Sequence, residues 1–218
     1  MNRLRLVLLV LLVPFVAFAE ERDAGFTSSP IDSVVFARMK GKSYKDNCTI
    51  PLSELRYLRV LHYDFDGNVC QGELVCNKLI SNDLLEIFEA LFNAHYPIER
   101  MVLIDEYDAD DERSMTANNT SCFNFRMIAG SDQPSLHGRG LAIDINPLYN
   151  PCLNKRTGLV QPANGKRYAY RRTNKKCQPI RYINPNDLCY KLFVQHGFFW
   201  GGSWQTVHDY QHFEKKNP

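Results

Sequence analysis

The chain has 218 residues, 44% of them hydrophobic and 23% charged, which suits one compact domain with a substantial core. Its 26 Lys and Arg residues and 24 Asp and Glu residues leave a formal net charge of +2. Because so small a charge provides no broad basic surface, the composition does not support a nucleic-acid-binding or membrane-surface protein.

Residues 1–19 have the pattern of a secretory signal peptide. Arg3 and Arg5 make a basic start, residues 6–18 are almost wholly apolar, and Ala17-Phe18-Ala19 is a small-x-small cleavage site. The segment is short for a membrane-spanning helix, although an uncleaved anchor is the alternative. Removal of its two arginines would bring the formal charge to zero. We therefore predict a secreted or periplasmic protein with no stable membrane insertion after cleavage.

All seven cysteines lie beyond this segment: Cys48, Cys70, Cys76, Cys122, Cys152, Cys177 and Cys189. In a secreted chain they predict disulfides, and the odd number leaves at least one free thiol or an intermolecular partner. Cys70 and Cys76 flank a short loop or hairpin and are candidates for a local bridge. Because the sequence contains no C-x-x-C pair, a structural cysteine–zinc site is the weaker interpretation.

Residues 20–50 contain Gly, Pro, Ser and Thr throughout and predict an N-terminal arm with little structure. Residues 51–218 are then expected to form a single domain. Its first element is a β-hairpin, predicted by β-forming residues at 57–65, a turn signal at Asp66-Gly67 and a return strand at 69–76. The polar tip of this hairpin favours a plain turn over a cation site.

A helix is predicted to begin near Asp83, where Glu86 would complete a capping box, and to end before Pro97. A short apolar strand is expected at 101–104. The following segment, 105–112, has six acids in eight residues. Such a run is usually a solvated loop, and it lacks the glycine spacing of a known calcium-binding loop.

Residues 147–182 form a basic insertion with nine Lys and Arg residues, and no acid occurs between Asp144 and Asp187. Tyr168 and Tyr170 are interleaved with these cations, as in surfaces that bind nucleic acid. Export and a neutral mature chain argue against that partner. A solvated insertion and a surface that grips an anionic substrate both remain possible interpretations.

Asn184-Pro185 is expected to open a second helix that Gly197 closes, and 198–200 is expected to be a buried strand. Runs of strands separated by two helices predict an α+β fold with an antiparallel sheet and helices packed on one face.

The main candidate for a functional site lies at 135–144. There His137 lies in a Gly-rich loop, and Asp144 follows seven residues later in a strand with alternating apolar residues. A carboxylate in such a strand is costly to bury unless it is paired or binds a metal. Both side chains could therefore converge on one ion. A catalytic zinc site needs a third protein ligand and an open position, so a further ligand must come from elsewhere.

Among the other histidines, His62 stays unassigned, and the C-terminal segment is the richer candidate source of that ligand, because Asp209 precedes His212 by three residues among aromatic side chains. A carboxylate beside a metal ligand can take a proton from water. On an ideal strand these two residues face opposite ways, so the chain must bend between them. His208 shares a face with His212 and therefore stays a candidate site residue. It would act either as an acid that supports the metal ligands without binding the metal or, if the chain does not bend, as the partner of His212 in place of Asp209. His95 and His196 are interpreted as interactions at helix ends.

The motif S-x-H-x-x-G-x-A-x-D at 135–144, followed by W-G-G-x-W and D-x-x-H-F near the end, resembles the zinc D-alanyl-D-alanine peptidases of the VanY/VanX type. That family also includes L-alanyl-D-glutamate endopeptidases. The resemblance covers about 70–150 and 180–214. It implies a Hedgehog/DD-peptidase-like fold, a Zn²⁺ cofactor and the peptide stem of peptidoglycan as substrate.

The resemblance also implies roles for individual residues. Three would be zinc ligands, namely His137, Asp144 and His212. Asp209 would be the general base, and Arg126 would stabilise the oxyanion. Ser135 would contact the substrate near the metal. The resemblance assigns no role to His208, which is kept as a further candidate substrate-binding residue because of its position beside His212.

Two other hypotheses compete with a secreted zinc peptidase. A non-catalytic zinc-bearing cell-wall binding module would keep the three ligands but would need no acid at position 209. In a disulfide-stapled secreted binding protein, His137 and Asp144 would merely pair with each other. The presence of Asp209 favours the enzyme.

Overall fold

The computed structural model describes residues 25–128, 130–171, 182–216 and 218. The predicted signal peptide, Cys177 and part of the basic insertion lie outside the described residues. Within them the chain is a mixture of helices and antiparallel strand pairs, so the predicted α+β class is confirmed. The sheet is divided, however, into three small sheets.

Nine strands occur in the described part of the chain and are numbered in chain order. The first sheet has the order β1-β2-β3, formed by Thr27–Pro30, Leu55–Tyr63 and Val69–Asn77. The second has the order β4-β9-β7, formed by Ala142–Asp144, His212–Glu214 and Phe199–Trp200. The third has the order β6-β5-β8, formed by Val160–Gln161, Cys152–Asn154 and Val207–Asp209.

The helices of the same residues are α1 to α5, at Ser33–Met39, Ser81–Asn93, Asp111–Thr116, Lys166–Ala169 and Leu188–Gln195. None of these described helices has the length and apolar content needed to cross a bilayer.

The predicted hairpin is present as β2 and β3, which pair from Leu55 opposite Asn77 to Tyr63 opposite Val69. At its tip, one carboxylate oxygen of Asp64 accepts the backbone N–H groups of two residues further along, at 2.9 and 2.8 Å. These bonds occupy the carboxylate within the turn, so the predicted turn is present.

The expectation of an arm with little structure is wrong. Strand β1 pairs with β2, and Asp32 caps α1 by accepting the N–H of Val35 at 2.8 Å. The buried carboxylate of Asp105 accepts the N–H of Ser43 at 2.9 Å and ties the arm to the domain. All four residues of β1 are exposed, so the strand has no alternation of apolar side chains that the sequence could reveal.

Three other boundaries differ from prediction. Residues 101–103 do not form the predicted strand, and a 3₁₀ turn follows at Ile104–Tyr107. Helix α2 begins at Ser81 without a side-chain cap, so the predicted capping box is not used. Helix α5 begins after Asp187, which accepts the N–H of Cys189 at 2.9 Å.

The main core lies between the first sheet, α2 and α5. Leu84, Phe88 and Leu91 of α2 are buried against it, as the sequence pattern predicted. Phe193 of α5 stacks on Phe213 of β9 with ring centroids 4.3 Å apart. The second sheet is therefore supported from behind by aromatic packing, which holds β9 in place.

The expected local disulfide is contradicted. Cys70 and Cys76 lie on the same strand, opposite His62 and Arg56 respectively, and are therefore about 20 Å apart along β3. A disulfide requires α-carbons within about 7 Å. The six cysteines within the described residues are free thiols.

Replacing Phe193 by Ala should lower the free energy of unfolding by about 3 to 5 kcal/mol, because it leaves a cavity against Phe213. Val194→Ala on the same helix is the matched control, since Val194 is 42% exposed and should change stability by under about 0.5 kcal/mol. Denaturant unfolding followed by circular dichroism measures both. Equal losses in the two variants would contradict a core role for the Phe193–Phe213 stack.

Candidate metal centre and active-site cleft

The loop before β4 holds His137 in one orientation. Gly140 has φ +68°, and a side chain at Gly138 would come within 2.7 Å of the Arg126 carbonyl oxygen, so glycine suits both positions. The Ser135 hydroxyl accepts the N–H of Gly138 at 2.9 Å. His137 donates from Nδ1 to the Cys122 carbonyl at 2.7 Å, which leaves the lone pair on Nε2 facing the site.

Asp144 and His212 stand opposite each other in the register of β4 and β9. His212 Nδ1 lies 3.1 Å from Asp144 Oδ1 and 3.1 Å from His137 Nε2. His137 Nε2 lies 3.4 Å from the same carboxylate oxygen. One ligand atom from each of the three residues therefore falls within 4.8 Å of the others. The structure brings together the three side chains that the motifs singled out.

The bend required between Asp209 and His212 is present. Asp209 ends β8 and His212 begins β9, and these strands belong to different sheets. Trp200 Nε1 donates to the Tyr210 carbonyl at 2.9 Å, which holds the turn. A side chain at Gly201 would come within 2.8 Å of the Asp209 carbonyl oxygen, so the W-G-G motif leaves room for this turn. As a result, Asp209 and His212 line the same cleft.

The cleft has a volume of about 590 Å³, and Arg126 and Ser135 also line it. The Arg126 guanidinium forms an ion pair with Asp111 at 3.3 Å, which fixes the cation at the rim. His208 is turned away from this cleft: its Nδ1 lies 2.9 Å from the Gly202 carbonyl oxygen, and its ring stacks on Tyr210 at 5.5 Å. The structure thus brings together the predicted residues apart from His208.

The pKa values of the site reflect buried, interacting charges. Burial opposes ionisation of Asp144, but His137 and His212 outweigh it and lower the pKa of this carboxyl. Burial also opposes charge on His212, yet hydrogen bonds to Asp144 and Glu214 raise the pKa of its imidazole to about 10. Burial, together with the negative charge of Asp144, raises the pKa of Asp209 to about 6. The pocket therefore attracts positive charge at its centre.

Sequence reasoning missed two residues of the site. Glu214 is buried, and its Oε2 lies 3.2 Å from His212 Nε2. Its spacing of two from His212 on one strand could have indicated this contact. Cys152 lines the cleft opposite Asp209 in the β5–β8 register, and burial raises the pKa of its thiol. No sequence signal predicted that pairing.

The donor set fits a zinc ion. Two imidazole nitrogens and one carboxylate oxygen are a common protein ligand set for catalytic zinc, which keeps another position open. At the centre, the ligand atoms of His137 and His212 face each other across 3.1 Å, an arrangement that requires a cation or a proton between them. Asp209 lines the same cleft, and its Oδ1 is buried with no hydrogen-bond partner among the described residues.

Residues 129–215 match the family model described as D-alanyl-D-alanine carboxypeptidase. This stretch is less than half of the chain, and it contains all three candidate ligands and Asp209 but not Arg126. The resemblance carried by the motifs is thus confirmed over 129–215, and the matched family is one of zinc-dependent peptidases that act on peptidoglycan. No curated protein and no solved structure shows significant similarity to the chain.

Glu214→Ala should weaken zinc binding by about 10- to 100-fold, because a ligating histidine is oriented by the carboxylate on its other ring nitrogen. Titration against a chromophoric chelator measures the dissociation constant. Lys216→Ala is the control, since Lys216 contacts the other Glu214 oxygen at 3.0 Å and its side chain is 61% exposed. If Glu214→Ala binds zinc as tightly as this control, Glu214 does not orient His212.

Proposed function

We propose that this protein is a secreted or periplasmic zinc peptidase that hydrolyses a peptide bond in the stem peptide of peptidoglycan. Its specificity would be that of a D-alanyl-D-alanine carboxypeptidase or an L-alanyl-D-glutamate endopeptidase. The observation that carries the proposal is the convergence of His137, Asp144 and His212 within 4.8 Å, on a cleft that Asp209 and Arg126 also line. The family match supports the substrate class.

His137, Asp144 and His212 would hold the ion. When bound, zinc supplies a Lewis acid for the scissile carbonyl and lowers the pKa of a water molecule to about 7. Asp209 lines the same cleft, where its carboxylate would take the proton of the attacking water and return it to the leaving amine. This acid distinguishes the peptidase hypothesis from a zinc-bearing binding module, which would not use it.

Two polar groups in the cleft are suited to an anionic peptide. The Arg126 guanidinium would stabilise the negative charge that develops on the scissile carbonyl oxygen, while Asp111 holds its orientation. The Ser135 hydroxyl accepts one backbone N–H and keeps its own hydrogen to donate to a substrate carbonyl.

The ring of Trp204 lies beside the ligands, with its centroid 5.3 Å from that of His212. Together with Met115 and Leu136, it forms an apolar wall of the cleft. An apolar wall excludes water and strengthens electrostatic interactions at the reacting bond.

Asp144→Ala should abolish zinc binding and turnover together, because it removes a charged ligand. Asp209→Asn should retain zinc and lose about 10²- to 10⁴-fold in kcat, the usual contribution of a general base. Metal analysis of the purified variants and mass spectrometry of the products released from purified stem peptides measure the two effects. The masses also identify the bond that is cut.

The wild-type protein treated with a chelator should lose activity and recover it when zinc is added back. Full activity in Asp209→Asn would discard the base assignment. Zinc bound at one equivalent without any cleavage of stem peptides by the wild type would favour the binding module instead.

A further inference from the structure

We infer that Arg171 is a positioning residue for this site: it clamps the turn at Tyr210 that directs Asp209 and His212 into the cleft. This inference rests on the proposed function and adds to it a structural role for the basic insertion, which the motifs left unassigned.

The Arg171 guanidinium lies between two aromatic rings. Its central carbon is 3.9 Å from the centroid of the Tyr210 ring and 4.5 Å from that of the Tyr182 ring. A planar guanidinium can stack on such faces and also attract them electrostatically. Because Tyr210 follows Asp209 directly and precedes His212 by two residues, this contact acts on the turn itself.

The environment of the Arg171 guanidinium differs from that of a solvated surface arginine. Arg171 Nε and Nη1 are buried and have no hydrogen-bond partner among the described residues. Burial lowers the pKa of the guanidinium to about 10, so the group remains charged at neutral pH. The residue also has φ +48°, which is uncommon for a side chain larger than glycine. A buried charge and a strained backbone conformation persist only where the surrounding structure enforces them.

A second connection joins Arg171 to the other half of the site. Its Nη2 donates to Asn150 Oδ1 at 3.1 Å, and the Nδ2 of the fully buried Asn150 donates to the Asn146 carbonyl at 3.1 Å. Asn146 lies two residues after Asp144. The same arginine therefore contacts the turn before His212 and, through one amide, the segment after Asp144.

Two other supports of the turn act on its backbone, and the rings of Trp200 and His208 also contact the Tyr210 ring. Trp200 holds the Tyr210 carbonyl, and the Gln211 carbonyl accepts the N–H of Ile145 at 3.0 Å. The face of the Tyr210 ring is held by Arg171, with His208 stacked against the ring as well. Loss of the guanidinium leaves the ring without its charged partner and lets the turn shift relative to Asp144.

The chain offers a matched control in the same insertion. The Arg167 guanidinium carbon lies 4.6 Å from the centroid of the Tyr168 ring, so Arg167 is also an arginine stacked on a tyrosine. Neither Arg167 nor Arg171 lines the cleft. Arg167→Met removes a similar contact and an identical charge without touching the turn.

The test compares the zinc dissociation constant, kcat and KM of the full-length wild type, Arg171→Met, Arg171→Lys, Tyr210→Leu and Arg167→Met. Arg171→Met should raise the zinc dissociation constant by about 10- to 100-fold, as expected for a residue that orients a ligand. It should lower kcat by a similar factor with KM little changed, since Arg171 does not line the cleft. Arg167→Met should match the wild type in all three quantities.

If Arg171→Met does not fold, two further variants test the contact between Arg171 and Tyr210. Arg171→Lys keeps the charge but loses the planar face, and should show the same loss of zinc affinity. Tyr210→Leu removes the ring, and its effect should not add to that of Arg171→Lys in the double variant. Folding of each is checked by circular dichroism and size-exclusion chromatography.

Zinc affinity within about threefold of wild type in a folded Arg171 variant overturns the clamp, given the larger loss expected for a ligand-orienting residue. Equal effects of Arg171→Met and Arg167→Met, or full restoration by Arg171→Lys, also overturn it. A wild type that binds zinc but cleaves no stem peptide overturns the proposed function, while the zinc measurements still decide the clamp.

Discussion

The register of β4 against β9 is the constraint on which the site depends. It sets Asp144 opposite His212 although 68 positions separate them in the chain. The neighbouring pair, Ile143 and Phe213, is fully buried in the core on the other face of the same two strands. A slip by one residue would exchange these faces. The hydrophobic core therefore determines that both candidate ligands point into the cleft.

The cleft combines side chains from two small sheets. His212 and Asp144 belong to one sheet, whereas Asp209 ends a strand of another, so the turn at Tyr210 joins a candidate ligand to the proposed base. Buried charges are costly without partners, and here each lies against a group of opposite charge or lines the cleft of the candidate metal centre. Rigid supports are consequently concentrated around this turn, including the Trp200 indole and the stacked Arg171.

Prediction succeeded where the signal was local. Alternation at 141–145 identified a strand, and the turn signal at Asp66-Gly67 identified the hairpin. Prediction failed where an element depends on a distant partner. The exposed strand β1 exists because β2 offers an edge, and the two cysteines that were candidates for a local bridge lie along a single strand. Likewise, Cys152 reaches the cleft only because β5 pairs with β8.

The amino-acid sequence by itself determined the α+β class, the candidate ligands and the spacing D-x-x-H that requires a bend. The class and the need for a bend follow from side-chain chemistry and from the two-residue period of a strand, whereas the full set of candidate ligands is what the resemblance carried by the motifs implies. The tertiary structure alone decided that the bend exists, that His208 turns away and that Glu214 contacts His212. The reason is physical: which strands pair depends on how the whole chain buries its apolar surface, and no short motif contains that information.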